Sequence, residues 1–149
     1  MATKEAVLDR ELIISTARQW IGTPYVHQQS VKGAGCDCLG LIRGVWREIV
    51  GPEPETAPPY TSDWGERFGQ EQLWQVCERH LTFIRKNDYI AGDVVLFRWR
   101  PDLPAKHCAI VSNDNHMIHA LQNHDVQEVA IPTSWQRKIV AAFSFPGEH

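Results

Sequence analysis

The sequence contains no uninterrupted apolar run of the roughly 18 residues that a membrane-spanning helix needs. It also has little excess charge, because 15 Lys and Arg stand against 18 Asp and Glu, which leaves a formal net charge of −3. So small an imbalance gives no electrostatic reason to expect a nucleic acid. Internal repeats and low-complexity tracts are missing as well. We therefore expect neither a membrane nor a nucleic acid as a partner.

The N-terminus lacks the apolar core of a secretory signal peptide, because charges interrupt it at Lys4, Glu5, Asp9, Arg10 and Glu11. We therefore expect a chain that is synthesised in the cytoplasm without a signal peptide. Its 149 residues predict one domain, 1–149. A domain of this size buries enough surface for a core without metal or disulfide staples.

Cysteine is sparse, with four residues, at Cys36, Cys38, Cys77 and Cys108. A structural zinc site would need a second close cysteine pair, or a histidine pair with finger-like spacing, beside Cys36 and Cys38. Cys77 and Cys108 stand alone in the sequence. We therefore expect free thiols, no metal and no other cofactor.

The spacing of apolar residues changes along the chain from a helical period to a strand period. It predicts helices over residues 8–21, 38–50 and 63–86, separated by loops over 22–37 and 51–62. After Gly92, it predicts short strands over 93–98, 106–112, 116–121, 126–131 and 139–145. Helices followed by strands predict an α+β fold, with N-terminal helices packed on a C-terminal antiparallel β-sheet.

The second helix carries the first candidate for chemistry. Asp37 is a good N-cap for it, and Cys38 then lies in its first turn. The positive end of the helix macrodipole favours the thiolate, which is the nucleophilic form of cysteine. The alternative is a small buried apolar side chain, the more common role of a cysteine. Gly40 and Gly44 lower the helix propensity here, which suggests close approach of another element.

Two histidines on the predicted strands are the second and third candidates. A hairpin centred on Asn113 places His107 directly opposite His119 on one face, with Cβ atoms about 5 Å apart. The two imidazoles could then form a hydrogen bond, in which one orients the other. A one-residue slip would separate them to opposite faces. The alternative for His107 is a core histidine whose ring binds a backbone carbonyl.

Three segments together resemble the NlpC-type cysteine peptidase superfamily, which cleaves bacterial cell-wall peptides. They are IGTPYVHQQSVKGAGCDCLGLIRGVWRE at 21–48, AGDVVLF at 91–97 and KHCAIVSNDNHMIHA at 106–120. The family pattern is G-T-P-Y, D-C-x-G-L at a helix start, G-D-x-x-x-F, a strand histidine and a second histidine in I-H-A. All of these occur here in the same order, between about Trp20 and Leu121.

The resemblance implies a papain-like NlpC-type fold and a role for each matching residue. Cys38 matches the catalytic nucleophile, His107 the general base and His119 the orienting third residue. Tyr25, in G-T-P-Y, matches a tyrosine beside the nucleophile that helps to hold the oxyanion. Asp37 matches an aspartate linked to recognition of the stem peptide, which is compatible with its role as N-cap. The implied chemistry is acyl transfer from an imidazolium–thiolate pair of His107 and Cys38.

The sequence also departs from the family pattern. Leu39 stands where many members have serine after the nucleophile, which leaves the stem-peptide specificity open. Lys106 stands where many members have glycine, and Cys36 is an additional thiol two residues before Cys38. Arg98, Arg100 and Lys106 could attract substrate carboxylates or form a solvated rim. Four tryptophans, Trp64, Trp74, Trp99 and Trp135, could line a groove, although core packing is the more common role.

The resemblance implies a cysteine endopeptidase that cuts stem peptides of peptidoglycan between D-glutamate and the diamino acid. Residues 38–64 look more closely like the phage-tail and gene-transfer-agent branch of the family, which implies tail proteins as partners and a place in a virion or tail particle. Other readings remain open, namely a structural tail-assembly protein that keeps the fold without hydrolysis, a thiol acyltransferase or amidotransferase, and a thiol metal-binding module.

Overall fold

The structure is a computed structural model that describes residues 9–55 and 71–147. The described helices are α1 (Arg10–Arg18), α2 (Cys38–Ile49), α3 (Gln72–His80) and α4 (Thr133–Gln136). The strands are β1 (Ser30–Val31), β2 (Gly35–Cys36), β3 (Thr82–Ile84), β4 (Val94–Phe97), β5 (His107–Asn113), β6 (His116–His119), β7 (Gln127–Ala130) and β8 (Ile139–Ser144). None of the helices in these two ranges is long and apolar enough to cross a bilayer.

The described strands form a small hairpin and one larger antiparallel sheet. Strands β1 and β2 pair with each other, and the sheet has the order β3-β8-β4-β5-β6-β7. Helices α1 and α2 pack on β5, near the middle of that sheet. The α+β prediction is therefore confirmed, with helices first in the chain and the antiparallel sheet after them. The hairpin lies in the segment that was predicted as a loop over 22–37.

The third predicted helix is wrong at its C-terminal end. Helix α3 stops at His80, and Leu81 already has extended backbone. Thr82–Ile84 is instead the edge strand β3, paired antiparallel with β8. β-branched and aromatic side chains fit a half-buried sheet edge, and pairing with β8 overrides the helical spacing of Ile84. Residues 63–70 of the prediction, including Trp64, lie outside the described residues.

The sheet buries apolar residues on both faces. One face packs against α1, α2 and α3, with Leu41, Val45 and Ile110 among the buried side chains. The other face buries Phe97 and Met117 under partly buried side chains, Tyr89, Trp99, Val129 and Trp135. Alternation along β5 therefore sends Cys108 and Ile110 toward the helices and Ala109 and Val111 toward the opposite face.

The glycines of α2 explain how closely this helix packs. A Cβ atom on Gly44 would overlap the indole ring of Trp20, and one on Gly40 would overlap the carbonyl oxygen of Gln29. Close approach of other elements is therefore the reason for both glycines, as predicted. The result is a helix whose first turn is pressed against the 26–29 segment on one side and the sheet on the other.

A buried charge network fixes the start of β4. Asp93 is fully buried, and its Oδ1 atom accepts hydrogen bonds from Arg10 at 2.6 Å and from Ser144 at 2.7 Å. Its Oδ2 atom accepts one from the backbone N–H of Ile90 at 2.9 Å. The aspartate of the AGDVVLF segment therefore ties α1, β4 and β8 together, and its role is structural.

Candidate active site

The α2 N-terminus holds Cys38 in the first helical turn, as predicted. Asp37 has extended backbone, and its Oδ1 atom accepts from the Gly40 N–H at 2.7 Å, which is the N-cap bond. Its Oδ2 atom accepts from the Gln28 N–H at 2.7 Å. Asp37 is 1% exposed, so this buried carboxylate joins the helix start to the preceding segment. Cys38 is the next residue, the first of α2, and it is buried with 4% of its surface exposed.

Tyr25 lies beside the same helix start. Its backbone forms a parallel bridge with Cys36, and hydrogen bonds of 3.0 Å from Cys36 N to Pro24 O and from Val26 N to Cys36 O hold the two segments together. Burial raises the pKa of the Tyr25 phenol, and the negative charge of a Cys38 thiolate would act in the same direction. The phenol therefore remains a neutral hydrogen-bond donor near Cys38.

His107 and His119 form the predicted hydrogen bond. Nε2 of His107 lies 2.9 Å from Nδ1 of His119, and each residue is 5% exposed. The register differs from the prediction by two residues, because Val111 pairs with Met117 and a shift follows Val111. The turn is formed by Asp114 and Asn115, and Asn115 has a φ of 65°. A two-residue shift keeps both histidines on one face, so the bond survives as a diagonal contact.

Burial keeps both imidazoles neutral. Desolvation, with the charge of His119 as the smaller cause, lowers the pKa of His107 to about 3. Desolvation and the charge of His124 lower the pKa of His119 to about 4. The resting His107 is therefore an imidazole, and the imidazolium expected from the family resemblance is not the resting form. A neutral imidazole has one N–H and one free lone pair, so it can serve as a base.

Aromatic rings surround the histidine pair. Trp99 stacks on His107 with ring centroids 5.9 Å apart, and Trp135 lies edge-on to His107 at 5.8 Å and to His119 at 5.7 Å. Core packing was the favoured role for both tryptophans, and the structure adds that they form the wall of the histidine site. Trp99 lies two residues after Phe97 and stacks on it, so strand alternation in the sequence could have placed both rings on one face. Trp135 lies on the short helix α4, which the sequence pattern did not predict.

The structure brings the thiol of Cys38 to Cys108 on β5. A hydrogen bond between the thiols of Cys38 and Cys108, together with burial, raises the pKa of Cys108 well above its ordinary value. Cys108 follows His107 directly, and the two side chains leave β5 on opposite faces. Among the described residues, hydrogen bonds join His107 to His119, and none joins Cys38 to His107. Cys38, at the start of α2, therefore lies against β5 at the residue that follows His107.

The other thiols and charges have local roles. Burial raises the pKa of Cys36 and of Cys77 to about 12, so both remain protonated. Arg98 forms an ion pair with Glu71 at 2.6 Å, and Arg100 forms one with Asp102 at 3.2 Å. Each of these two arginines therefore has a carboxylate partner within the chain. Within residues 9–55 and 71–147, no group of three or more His, Cys, Asp or Glu side chains is arranged to hold a metal ion.

The helix that begins with Cys38 and the sheet strand that begins with His107 define a papain-like fold. The sequence matches the NlpC/P60 family over residues 22–144, and the chain belongs to that family. Members of the family are cysteine peptidases and cell-wall hydrolases.

Individual relatives agree with this assignment. The chain is 27% identical over 115 residues to a gamma-DL-glutamyl hydrolase of Bacillus subtilis (strain 168), an alignment that covers 76% of this chain and 24% of the relative. The chain thus spans about a quarter of that protein. The NlpC/p60 domain of the peptidoglycan hydrolase SagA superposes with a TM-score of 0.65 and 26% identity, covering 93% of this chain and 100% of SagA's domain.

A third relative is similar in fold alone. RipD of Mycobacterium tuberculosis is described as a non-catalytic NlpC/p60 domain protein adapted to peptidoglycan binding. It superposes with a TM-score of 0.56 and 13% identity, over 93% of this chain and 97% of RipD.

Proposed function

We propose that the chain is a cysteine peptidase that hydrolyses stem peptides of bacterial peptidoglycan at the bond between D-γ-glutamate and the diamino acid. The observation that carries the proposal is the His107–His119 hydrogen bond at the start of β5, the strand that the Cys38 thiol also reaches. The names of the Bacillus subtilis and SagA relatives support a γ-glutamyl bond and a peptidoglycan substrate.

The tautomer of His107 follows from its hydrogen bond. Because Nε2 faces His119, the base function belongs to Nδ1, which must carry a lone pair. His107 then has its proton on Nε2 and donates it to Nδ1 of His119. His119 fixes the ring angle and the tautomer of His107, which is the role of the third member of a catalytic triad.

Catalysis begins with proton transfer from the thiol of Cys38 to His107. Nδ1 of His107 accepts the thiol proton, and the thiolate attacks the peptide carbonyl carbon. The Cys38 backbone N–H and the neutral Tyr25 phenol donate to the oxyanion. The imidazolium of His107 then protonates the leaving amine, and water hydrolyses the thioester to release the acid and free thiol.

Mass spectrometry of digested peptidoglycan tests the proposal. Purified sacculi are incubated with the wild type and with Cys38→Ala, and the soluble fragments are sequenced. We expect wild-type digests alone to contain fragments with a new diamino-acid N-terminus. Fragments with other termini would move the cleavage site, and equal fragments from Cys38→Ala would remove Cys38 from the mechanism.

Variants of the histidines separate their roles. We expect His107→Ala to lower kcat/KM by several orders of magnitude, because the base is lost. His119→Ala should cost less, since His119 acts through the orientation of His107. Full activity in His119→Ala would exclude it as a third catalytic member.

A second candidate is a peptidoglycan-binding or tail-assembly domain without turnover. The hydrogen bond between the thiols of Cys38 and Cys108 favours this candidate, and RipD is a precedent for a non-catalytic domain of this fold. Sedimentation of the wild type with intact sacculi, in the absence of any released fragment, would support this candidate over hydrolysis.

We further propose that the protein associates with a phage tail or gene-transfer-agent particle. The resemblance of residues 38–64 to that branch supports the association. Immunoblotting of tail particles purified from the source strain tests it, and a signal confined to the particle-free fraction would contradict it.

A further inference from the structure

Glu71 occupies the N-cap position of α3 but does not cap this helix. Its side chain makes no hydrogen bond to the first turn of α3. Its Oε1 atom instead accepts from the backbone N–H of Ala105 at 3.0 Å, and its Oε2 atom accepts from Arg98 Nη1 at 2.6 Å. Asp, Asn, Ser and Thr are the usual N-cap residues, because their short side chains reach the helix N–H groups. The longer Glu71 side chain reaches a different element.

The element that Glu71 holds is the 98–106 loop, which joins β4 to β5. Arg98 begins the loop and also donates to the carbonyl of Leu103 at 2.5 Å, while Ala105 is buried near its end. One carboxylate therefore binds both ends of the loop. The pair is partly shielded from water, with side-chain exposures of 21% for Arg98 and 32% for Glu71.

His107 is the residue that follows this loop. The β4–β5 ladder ends at the pair Phe97 and His107, and the backbone N–H of Lys106 donates to the Phe97 carbonyl at 3.1 Å. Ends of ladders open more easily than their centres, because they are held from one side only. The bond from Ala105 to Glu71 supplies the missing constraint two residues before His107.

We propose that Glu71, with Arg98, is a positioning residue for His107: it holds the 98–106 loop so that the imidazole keeps its bond to His119 and its place at the start of β5. The catalytic consequence rests on the proposed function, whereas the effect on the imidazole geometry does not. The simpler reading is that the pair only ties α3 to the sheet, and the two readings predict different results.

Four proteins distinguish them: the wild type, Glu71→Ala, Glu71→Gln and Glu53→Ala. Glu71→Ala removes both bonds, whereas Glu71→Gln keeps an oxygen for the Ala105 N–H and removes the charge facing Arg98. Glu53→Ala is the matched control, because the Glu53 carboxylate likewise has two partners, Arg43 at 2.7 Å and Arg47 at 2.9 Å, but neither belongs to the 98–106 loop. The readouts are Tm, the NMR resonances of the two imidazoles, and kcat and KM on stem peptide.

We expect Glu71→Ala to shift both imidazole resonances and to lower kcat on the order of 10- to 100-fold, with KM changed less than about two-fold, as for a misplaced catalytic group. Glu71→Gln should be intermediate. Glu53→Ala should lower Tm while the resonances and kcat stay at wild-type values.

Wild-type imidazole resonances and wild-type kcat in Glu71→Ala, whatever its Tm, would overturn the proposal. If Glu71→Ala does not fold, the isosteric Glu71→Gln is judged by the same criterion. If the wild type cleaves no stem peptide, the proposed function fails, and the imidazole resonances alone decide the positioning role.

Discussion

The buried histidine pair makes the stability of the fold sensitive to mild acid. Both imidazoles are neutral in the folded protein, with pKa values lowered to about 3 for His107 and about 4 for His119. In the unfolded chain a histidine has its ordinary pKa of about 6.5. Between these values the unfolded state binds more protons, so the free energy of unfolding falls as the pH falls.

The size of the effect follows from the same values. Between about pH 7.5 and pH 5, each histidine lowers the free energy of unfolding by about 2 kcal/mol, and the pair lowers it by about 4 kcal/mol. That is a large part of the roughly 5–15 kcal/mol that stabilises a domain. Arginine partners lower the pKa of Glu53 and of Glu128, and the stabilisation from these carboxylates is lost only below about pH 4.5. The interval from pH 5 to 7.5 therefore reports on the histidines.

Urea unfolding at half-unit steps from pH 5 to 7.5 measures this slope. The variant His107→Gln/His119→Gln should lose most of it, whereas His116→Gln, at the more exposed end of β6, should keep it. A wild-type free energy of unfolding that stays constant across the interval would refute the assignment of two buried neutral imidazoles.

Three further outcomes are expected. Iodoacetamide near pH 7.5 should label Cys38 first, because raised pKa values keep the other three thiols protonated. Peptide mapping would identify the labelled residue, and faster labelling of any other cysteine would contradict this expectation. The other three thiols are Cys36, Cys77 and Cys108, and all four cysteines are buried. Asp37→Ala should lower the free energy of unfolding by about 2 kcal/mol or more, because two backbone N–H groups lose their acceptor, and unchanged urea unfolding would argue against the cap. Gly44→Ala should cost about 1–3 kcal/mol through overlap with Trp20, and an unchanged Tm would show that the indole moves freely.

Local signals in the sequence were enough for the parts of the site that depend on one element. Asp37 and Cys38 are adjacent in the chain, so the N-cap and the thiol in the first turn follow from helix chemistry alone. The alternation of β5 and β6 likewise puts His107 and His119 on one face. Both residues stay on that face despite the two-residue error in register, because the strand period is two.

Contacts between distant segments were not predictable in the same way. Thr82–Ile84 became a strand because β8 offers it a partner, and Cys38 contacts Cys108 because of how α2 lies on the sheet. Arg98 forms an ion pair with Glu71, which is 27 residues away, and no local sequence pattern predicts this pairing. These contacts depend on the relative placement of whole elements, which a single sequence does not encode as a spacing.

By itself, the sequence determined that helices precede an antiparallel sheet, the family motifs and the residues that could carry the chemistry, since propensity, capping and periodicity act over a few neighbouring residues. Only the tertiary structure decided the hairpin register, the tryptophan wall around the histidines, the neutral state of both imidazoles and the thiol that Cys38 contacts at rest. Burial and packing set these features, because desolvation and side-chain contact arise when distant segments close on one another.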